Sequence, residues 1–320
     1  MLKAVASTMV GPFWALINSV VRPIKMKKAW KAPCPVISVG NIVAGGVGKT
    51  ELVSYLVQFY LKKGISVVVA MRGYGASIDI PDVGLCSENY TDALARKFPD
   101  EALVHLRKNP GVKVLIATNR AKALQHFFDQ LKPQIIILDD GFQHFSIQRD
   151  LDIIIHDFSA KNPIFRDFPG ILERKELLLV AHSISKDSVI PKKWRHLNWV
   201  KSNYEYLGLK GSSTSTSEKK KAYGFCAIGN PERFKNFLQM QGHDLVGFHS
   251  FSDHHNYSRK NVDFLFQQGK ANQAEVFLTT LKDYVKLGSF KWINELPLFY
   301  VDIQLKISEN EKHLLEKINF

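Results

Sequence analysis

The sequence predicts an α/β fold with a parallel β-sheet core that helices cover on both faces. Continuous apolar segments at residues 35–39, 65–70 and 134–138 alternate with segments of helical spacing, such as residues 51–63. Strands that are apolar along their whole length are typical of parallel sheets, because both of their faces are buried. A glycine-rich turn connects the first of these strands to the first helix, which is the arrangement of a phosphate-binding site.

The glycine loop, residues 40–50, reads GNIVAGGVGKT. Glycines allow backbone N–H groups to converge on an anion, and the N-terminus of the following helix adds a partial positive charge. Lys49 would reach the terminal phosphates, and the Thr50 hydroxyl would hold Mg²⁺. The strict phosphate-loop pattern has glycine where this chain has Val43, so an ordinary glycine-rich turn is the alternative. The residues predicted to contact nucleotide are Gly45, Gly46, Val47, Gly48, Lys49 and Thr50.

The remaining elements continue the alternation of strands and helices. Apolar residues at helical spacing predict a helix over residues 51–63, which Gly64 ends. Residues 73–90 are rich in turn formers and predict a long loop. Further helices are predicted at residues 102–107, 120–131 and 232–240 and from about residue 258. Further strands are predicted at residues 112–117, 151–155, 222–227, 244–248, 275–279 and 297–305.

Length and composition predict a folded protein of two domains. The chain has 320 residues, of which 45% are apolar and 23% are charged. Its three cysteines are widely spaced, which argues against a disulfide framework and against a zinc site. The formal net charge of +13 indicates an anionic partner, such as a membrane surface, a nucleotide or a nucleic acid. No RNA-binding signature or zinc-finger spacing is present, so we expect no nucleic acid partner.

Changes in composition divide the chain into four predicted segments. Residues 1–31 hold an uncharged stretch and a basic cluster, residues 32–183 hold the phosphate-loop core, residues 184–221 connect, and residues 222–320 form a second, smaller α/β domain. The connecting region ends in the polar tract GSSTSTSEKKK.

The N-terminal segment predicts contact with a membrane. Residues 4–21 carry no charge, and basic residues follow them, but small and polar residues dilute their hydrophobicity. An amphipathic helix lying in the interface, with its cations on anionic headgroups, fits this pattern best. A spanning helix and a simple core helix are the alternatives. The cations that follow are Arg22, Lys25, Lys27, Lys28 and Lys31.

Three acidic or histidine-containing stretches could carry chemistry. Asp139 and Asp140 follow an apolar strand, where a magnesium carboxylate belongs in a phosphate-loop protein, although paired aspartates also form turns. His144, Arg149 and Asp150 lie just downstream, where they could orient phosphate or shape the loop. Asp100–Glu101 opens a helix and could be a simple cap. The stretch Asp253-His254-His255 lies in a loop, where histidines are commonly solvated or packed.

Seven strings together resemble the tetraacyldisaccharide 4'-kinases of lipid A synthesis, over nearly the whole chain. The strings are VGNIVAGGVGKT at 39–50, MRGYGA at 71–76, PDEALV at 99–104, DDGFQHFSIQRDLDI at 139–153, AIGNPERF at 227–234, FSDHHNYS at 251–258 and TTLKDYVKL at 279–287. The family's loop is similar to this one in lacking the first glycine. The resemblance implies a P-loop NTPase-like core, ATP and Mg²⁺ as cofactors, and phosphorylation of the 4'-hydroxyl of a lipid A disaccharide precursor. It also implies a location on the cytoplasmic face of the bacterial inner membrane, either peripheral or N-terminally anchored.

The resemblance also implies roles for individual residues. Asp100 would be the catalytic base and His254 its partner across a cleft, while Thr50, Glu101 and Asp139 would place magnesium. The residues that would line the site or hold it together are Arg72, Arg120, Asp140, Gln143, His144 and Arg149.

A few positions depart from the family pattern. Pro99 and Ala102 replace the usual glycine and proline around Asp-Glu, and Glu173-Arg174 has its charges exchanged. A membrane-associated phosphate-loop ATPase that acts as a switch is the main alternative, since it needs no role for Asp100 or His254. A binding module without catalysis is the other.

Overall fold

The computed structural model describes residues 16–43, 46–73, 84–91, 94, 98–158, 165–182, 189–211, 220–287 and 297–307. A helix, α1, covers residues 16–27. The other helices are α2 (Lys49–Lys62), α3 (Asp100–Lys108), α4 (Arg120–Leu131), α5 (Pro231–Met240), α6 (Arg259–Ala271) and α7 (Leu281–Leu287). The strands are β1 (Val36–Gly40), β2 (Val67–Met71), β3 (Leu85–Ser87), β4 (Lys113–Ile116), β5 (Ile135–Asp139), β6 (Leu151–His156), β7 (Leu177–His182), β8 (Trp199–Gly211), β9 (Lys221–Cys226), β10 (Asp244–Ser250), β11 (Val276–Thr280) and β12 (Leu298–Ile307).

The twelve strands form one sheet in the order β10-β9-β11-β12-β8-β7-β6-β1-β5-β2-β4-β3. Strands β8 to β4 in this order pair in parallel, and so do β10, β9, β11 and β12. Two antiparallel pairs interrupt this arrangement, namely β8 with β12 and the edge strand β3 with β4. The expected α/β class with a mainly parallel sheet is therefore confirmed.

The central strands are buried on both faces, as their sequences require. All five residues of β1, β2 and β5 are buried, and these strands consist mainly of Val and Ile. β-branched side chains suit strands that pack against helices on both sides. Strand β8 differs, because exposed and less exposed residues alternate along most of its length. Only its first residues are covered on both faces, where it pairs with β7.

The parallel strands bring the predicted functional residues to common edges of the sheet. Val39 pairs with Asp139 across β1 and β5, so the glycine loop and the Asp139–Asp140 turn leave the sheet side by side. In the other parallel group, His254 follows β10 and α7 follows β11 directly. Strand order, rather than sequence distance, therefore decides which loops meet.

Helix α1 packs through two polar residues and exposes an apolar stripe. Asn18 Nδ2 donates to the Arg166 carbonyl at 2.9 Å, and the Arg22 guanidinium lies 3.2 Å from Asp167 Oδ1. Leu16, Val20 and Ile24 lie four residues apart and are 56%, 56% and 60% exposed. Among the described residues, no helix is both long enough and apolar enough to cross a membrane.

The domain boundaries stay a prediction. Strands β8 and β9 flank the polar tract, most of which lies outside the described residues. Residues 73–90, expected to form one long loop, contain β3, which pairs with β4 at the sheet edge.

Candidate functional site

The glycine loop ends in a conformation that requires glycine. Gly48, at the N-cap of α2, has φ 91°, and a Cβ atom there would lie 2.9 Å from the hydroxyl of Tyr204. Among the described residues other than its chain neighbours, none has an atom within 4 Å of where a Cβ of Gly46 would be. Val47 is buried in the core and anchors the loop. The predicted contact Gly45 lies outside the described residues.

A carboxylate lies between two cations beside this loop. Lys49 Nζ is 3.3 Å from Asp140 Oδ1 and donates to Asn41 Oδ1 at 3.2 Å. Arg166 donates to both oxygens of Asp140, at 2.9 and 3.1 Å. Burial raises the pKa of Asp140, but the charges of Lys49 and Arg166 outweigh it, so the net pKa is lowered. The two cations therefore converge on one point and stabilise negative charge there. Thr50, the second residue of α2, is half-buried.

Asp139 is held by two partners on different helices. Its carboxylate Oδ2 lies 2.9 Å from His105 Nε2 on α3, and both side chains are buried. Arg120, at the start of α4, donates to the backbone carbonyls of Asp139 at 2.8 Å and Asp140 at 3.4 Å. These contacts hold both the side chain of Asp139 and the backbone of the turn after β5.

The residues downstream of Asp140 brace its turn. Gln143 Nε2 donates to the Asn41 carbonyl at 3.0 Å and to Asp167 Oδ2 at 2.6 Å, which joins the glycine loop to the segment that carries Arg166.

A second brace lies further along the same segment. Arg149 pairs with Asp152 and donates to the His144 carbonyl at 3.1 Å. Burial and the nearby charge of Arg120 lower the pKa of His144 to about 3, so this histidine is neutral at physiological pH. The positive charge of Arg72, which is exposed, contributes to the same effect.

The structure brings Asp100 and His254 together. Asp100 begins α3, and its Oδ2 lies 3.0 Å from Nδ1 of His254 in the loop after β10. The Asp100 side chain is 6% exposed, whereas that of His254 is 49% exposed. His254 has φ 57°, and its backbone N–H donates to the Ala227 carbonyl at 3.3 Å. The loop therefore aims the imidazole at the carboxylate.

The Asp100–His254 pair has shifted pKa values. Burial raises the pKa of Asp100, but hydrogen bonds with His254 and Glu101 and the charge of Lys282 bring it below its ordinary range. The hydrogen bond with Asp100 raises the pKa of His254 against the opposing effect of burial. The pair therefore favours an ionised carboxylate facing a protonated imidazole.

Helix α7 supplies two lysines to the first two residues of α3. Lys282 Nζ lies 2.5 Å from Glu101 Oε1, and Lys286 Nζ lies 4.0 Å from Asp100 Oδ2. The lysines are four residues apart and therefore share one face of α7. Burial lowers the pKa of Lys282, but Glu101 and Asp100 outweigh it and raise the pKa above its usual range.

Asp283, which lies between these lysines in sequence, is fully buried and pairs with groups from several elements. Its carboxylate accepts from the Ala227 N–H at 3.1 Å, the Tyr257 hydroxyl at 3.0 Å and the Thr280 hydroxyl at 2.7 Å. Lys286 Nζ lies 3.1 Å away and also donates to the His255 carbonyl at 3.2 Å. Asp283 thus connects the strand end before Ala227, the His254–His255 loop and α7.

The carboxylates at this site suit a hard divalent cation. Ligand atoms of Asp100, Glu101 and His254 lie within 4.8 Å of one another. Mg²⁺ prefers carboxylate oxygens, which Asp100 and Glu101 offer, and it accepts few protein ligands, leaving places for phosphate oxygens. A divalent metal therefore fits the residues at the start of α3.

Sequence reasoning missed five residues of this site. Two lysines and an aspartate lie within the string TTLKDYVKL, where the four-residue spacing of the lysines was an available signal. The other two are isolated in sequence and gave no such signal. The missed residues are His105, Arg166, Lys282, Asp283 and Lys286.

The departures from the resembled pattern are accommodated locally. Pro99 precedes α3 with extended backbone, and Ala102 is fully buried within this helix. Glu173 contacts His196 at 2.9 Å, and Arg174 donates to Glu176 at 2.6 Å.

Comparison with known proteins decides the family. The sequence model of the family described as tetraacyldisaccharide-1-P 4'-kinase, or LpxK, matches residues 4–319. The chain belongs to this family. The expected family membership is therefore confirmed.

Relatives of the LpxK family match along most of this chain. The tetraacyldisaccharide 4'-kinase of Desulfotalea psychrophila is 30% identical over 305 residues, which cover 89% of this chain and 87% of the relative. That of Chlorobium limicola is 31% identical over 346 residues, covering 98% and 97%. The crystal structure of the "apo" form of LpxK from Aquifex aeolicus in complex with ATP matches with a TM-score of 0.78 and 26% identity, covering 100% of both chains.

Proposed function

We propose that this protein transfers the γ-phosphate of ATP to the 4'-hydroxyl of a tetraacyldisaccharide 1-phosphate, the lipid A precursor, and so forms the 1,4'-bisphosphate. Family membership supports the reaction class, since the relatives are named for this activity. The observation that carries the proposal is the contact of Asp100 with His254, because a hydroxyl acceptor requires an oriented base to take its proton, whereas the ATPase switch alternative assigns this pair no role.

The cations beside the glycine loop support a role in phosphate binding. Lys49 and Arg166 already hold the carboxylate of Asp140, which stands where negative charge is stabilised. On nucleotide binding, the phosphates would compete with this carboxylate for Lys49. Backbone N–H groups at the start of α2 would add further donors, from residues 46–50.

Carboxylates on α3 and β5 would hold the metal. Glu101 and Asp139 offer oxygen donors, and the Thr50 hydroxyl is the third proposed ligand. Mg²⁺, when bound, neutralises charge on the phosphate oxygens. Burial and the hydrogen bond with Asp100 raise the pKa of Glu101, and the charge of Lys282, which contacts Glu101 at 2.5 Å, opposes this effect.

Asp100 and His254 would act on the acceptor hydroxyl. The ionised carboxylate of Asp100 accepts a hydrogen bond from the 4'-hydroxyl and takes its proton as the oxygen–phosphorus bond forms. The bond from the γ-phosphorus to the bridging oxygen breaks in the same step, and ADP leaves. His254 orients the carboxylate, and Lys286 fixes the His254 loop through the His255 carbonyl.

The N-terminal helix would place the site at a membrane. Leu16, Val20 and Ile24 form an exposed apolar stripe, and the exposed cations Lys25 and Lys28 follow on α1 and just after it. We propose that this stripe enters the interface while the cations contact anionic headgroups, at the cytoplasmic face of the inner membrane. The acyl chains of the acceptor would then stay in the bilayer.

The domain division predicted from the sequence is consistent with this proposed function. The phosphate-loop core, residues 32–183, would supply Asp100, and the smaller domain, residues 222–320, would supply His254. The β8–β12 pair and the connecting region, residues 184–221, would join them. The N-terminal segment, residues 1–31, would be the membrane contact.

The test is product formation with a defined acceptor. Purified protein is incubated with ATP labelled at the γ-phosphate, Mg²⁺ and tetraacyldisaccharide 1-phosphate in mixed micelles, and lipids are separated by thin-layer chromatography. Label should appear in a lipid with two phosphates, and it should be lost in Asp100→Asn. Release of labelled inorganic phosphate without labelled lipid would instead favour the ATPase alternative.

A further inference from the structure

A buried histidine that is not itself a proposed metal ligand contacts the proposed ligand Asp139. His105 lies within α3 and is fully buried. Its Nε2 atom is 2.9 Å from Asp139 Oδ2, and its Nδ1 atom is 3.5 Å from the hydroxyl of Ser54 on α2. The imidazole therefore connects the carboxylate of Asp139, a proposed metal ligand, with helix α2, which begins at the glycine loop.

The contact with Ser54 continues into a chain of polar side chains. Asn109 Nδ2 donates to Ser54 Oγ at 3.1 Å, and Gln58 Nε2 donates to Asn109 Oδ1 at 3.1 Å. Gln304 Nε2, on β12, donates to Gln58 Oε1 at 3.0 Å. Ser54 and Asn109 are each 1% exposed, so the middle of the chain is shielded from solvent.

All the donors in this chain point the same way. Each amide accepts through its oxygen and donates through its nitrogen, so the direction runs from Gln304 toward Ser54. Ser54, having accepted from Asn109, can donate its own proton to His105 Nδ1. His105 then carries its proton on Nε2 and donates to Asp139, which as an ionised carboxylate only accepts. The tautomer follows from this order of donors.

We infer that His105 is a positioning residue that sets the orientation of the Asp139 carboxylate for metal binding. The hydrogen bond holds Oδ2 and thereby fixes the direction of Oδ1. Partners that orient ligating groups commonly affect metal affinity by roughly 10–100-fold. The inference rests on the proposed function, in which Asp139 is a metal ligand.

Helix α3 makes this arrangement rigid. Glu101 lies four residues before His105 and therefore on the same helical face. Helix α3 thus carries one proposed metal ligand, Glu101, and the residue that orients another, Asp139. The chain of donors extends this link to β12, the strand that pairs with both β8 and β11.

The experiment counts bound metal and does not depend on turnover. Mn²⁺ replaces Mg²⁺ and is titrated by electron paramagnetic resonance in the presence of a non-hydrolysable ATP analogue. His105→Phe keeps the ring volume but removes the donor, and it should weaken Mn²⁺ binding by about tenfold. His105→Gln can present a nitrogen donor near the Nε2 position, and it should recover binding to within about threefold of the original protein.

Two controls separate positioning from a general structural effect. The half-saturation concentration of the analogue, measured without metal, should be unchanged in both variants. Ser54→Ala removes the donor to Nδ1 and should give a smaller loss of Mn²⁺ affinity in the same direction. If His105→Phe loses stability, the comparison of His105→Gln with Ser54→Ala still tests the order of donors.

Three outcomes would overturn the inference. They are unchanged Mn²⁺ affinity in folded His105→Phe, equal losses in His105→Phe and His105→Gln, and a loss of metal-free nucleotide binding that matches the loss of metal binding. Failure of the proposed function gives a different result, because the wild type would then make no phosphorylated lipid while the metal titration remained measurable.

Discussion

Nδ1 of His254 lies 3.0 Å from Oδ2 of Asp100, although 154 positions separate the two residues in sequence. Asp100 begins the helix α3, and His254 follows β10 in the other parallel group of strands. Their contact therefore depends on the packing of α3 against α7 and on the β8–β12 pair.

We expect Asp100 and His254 to act together as a single catalytic unit. Each single alanine substitution should lower phosphoryl transfer by roughly 10²–10⁴-fold, the range for general base catalysis. The double variant should be scarcely worse than the poorer single variant, because groups acting as a unit are not additive. Steady-state transfer to the lipid acceptor measures this cycle, with ATP affinity as the control. Multiplicative losses would mean that the two residues act separately.

The Asp100–His254 pair should be visible in the pH dependence of stability. The pKa of His254 lies above 6.5 because of the hydrogen bond with Asp100. That of Asp100 lies below 3.8, because its partners outweigh the burial that raises it. The histidine contribution is complete below pH 6.5 and is lost as pH rises through the folded pKa, while the aspartate contribution is lost as pH falls through its folded pKa.

The stability advantage over Asp100→Asn should therefore be greatest between pH 3.8 and 6.5. Urea unfolding at several pH values measures this difference. In NMR titration, the imidazole of His254 should titrate at lower pH in Asp100→Asn than in the original protein. A stability difference that is constant across pH would contradict the charged pair.

Lys49→Ala should weaken ATP binding with little loss of stability. It removes a charge-assisted contact to phosphate, which is worth about 1.5–3 kcal/mol, so the Kd for ATP should rise by about tenfold or more. Asp140 keeps its two contacts with Arg166, so no buried charge is left unpaired. Calorimetric titration measures the affinity, and thermal unfolding is the control. Full ATP affinity in the folded variant would remove the phosphate-loop assignment.

Asp283→Ala should destabilise the protein strongly. The substitution removes the carboxylate that pairs with the Lys286 ammonium at 3.1 Å and accepts from the Tyr257 and Thr280 hydroxyls in a fully buried place, and the cost should be about 3–5 kcal/mol. Lys306→Ala is the matched control, because its contact with Glu205 is exposed and worth at most about 1 kcal/mol. Urea unfolding compares the two variants. Equal losses of stability would show that the buried contacts of Asp283 stabilise the protein no more than an exposed ion pair does.

Charges placed on the stripe of α1 should release the protein from membranes. The triple variant Leu16→Asp, Val20→Asp and Ile24→Asp should sediment poorly with anionic vesicles and keep its ATP affinity. Higher salt should weaken binding of the original protein, since screening acts over about 10 Å at 0.1 M. Met240→Asp, at an exposed apolar position on α5, is the control. Unchanged sedimentation of the triple variant would exclude the stripe as the contact.

The sequence predicted the elements whose signals are local. Helix α4 matches residues 120–131 as expected, and the apolar strands β1, β2 and β5 lie where continuous hydrophobic runs indicated them. The turn at Asp139 could be placed beside the glycine loop because parallel strands end at a common edge. Each of these predictions depends on a few consecutive residues.

The missed features depend on contacts between distant residues. No strand was assigned to residues 177–182 or 199–211, although β7 and β8 lie there. Strand β8 has a mixed polar pattern, and its pairing with β12 follows only from the arrangement of the other strands. Likewise, His105 has the pattern of an ordinary helical residue, and its role depends on Asp139, 34 positions later. Arg166 contacts Asp140 across 26 positions.

The place of β1 in the sheet also constrains how the protein is made. β1 is one of the first elements in the chain, yet it pairs with β5 and β6, which begin about a hundred residues later. During synthesis, this strand has no partner until residues 135–156 have left the ribosome. Long-range parallel pairing of this kind is slow, and an unpaired apolar strand is prone to aggregate. The five buried residues of β1 therefore form an apolar segment that has to stay unpaired while about a hundred further residues are synthesised.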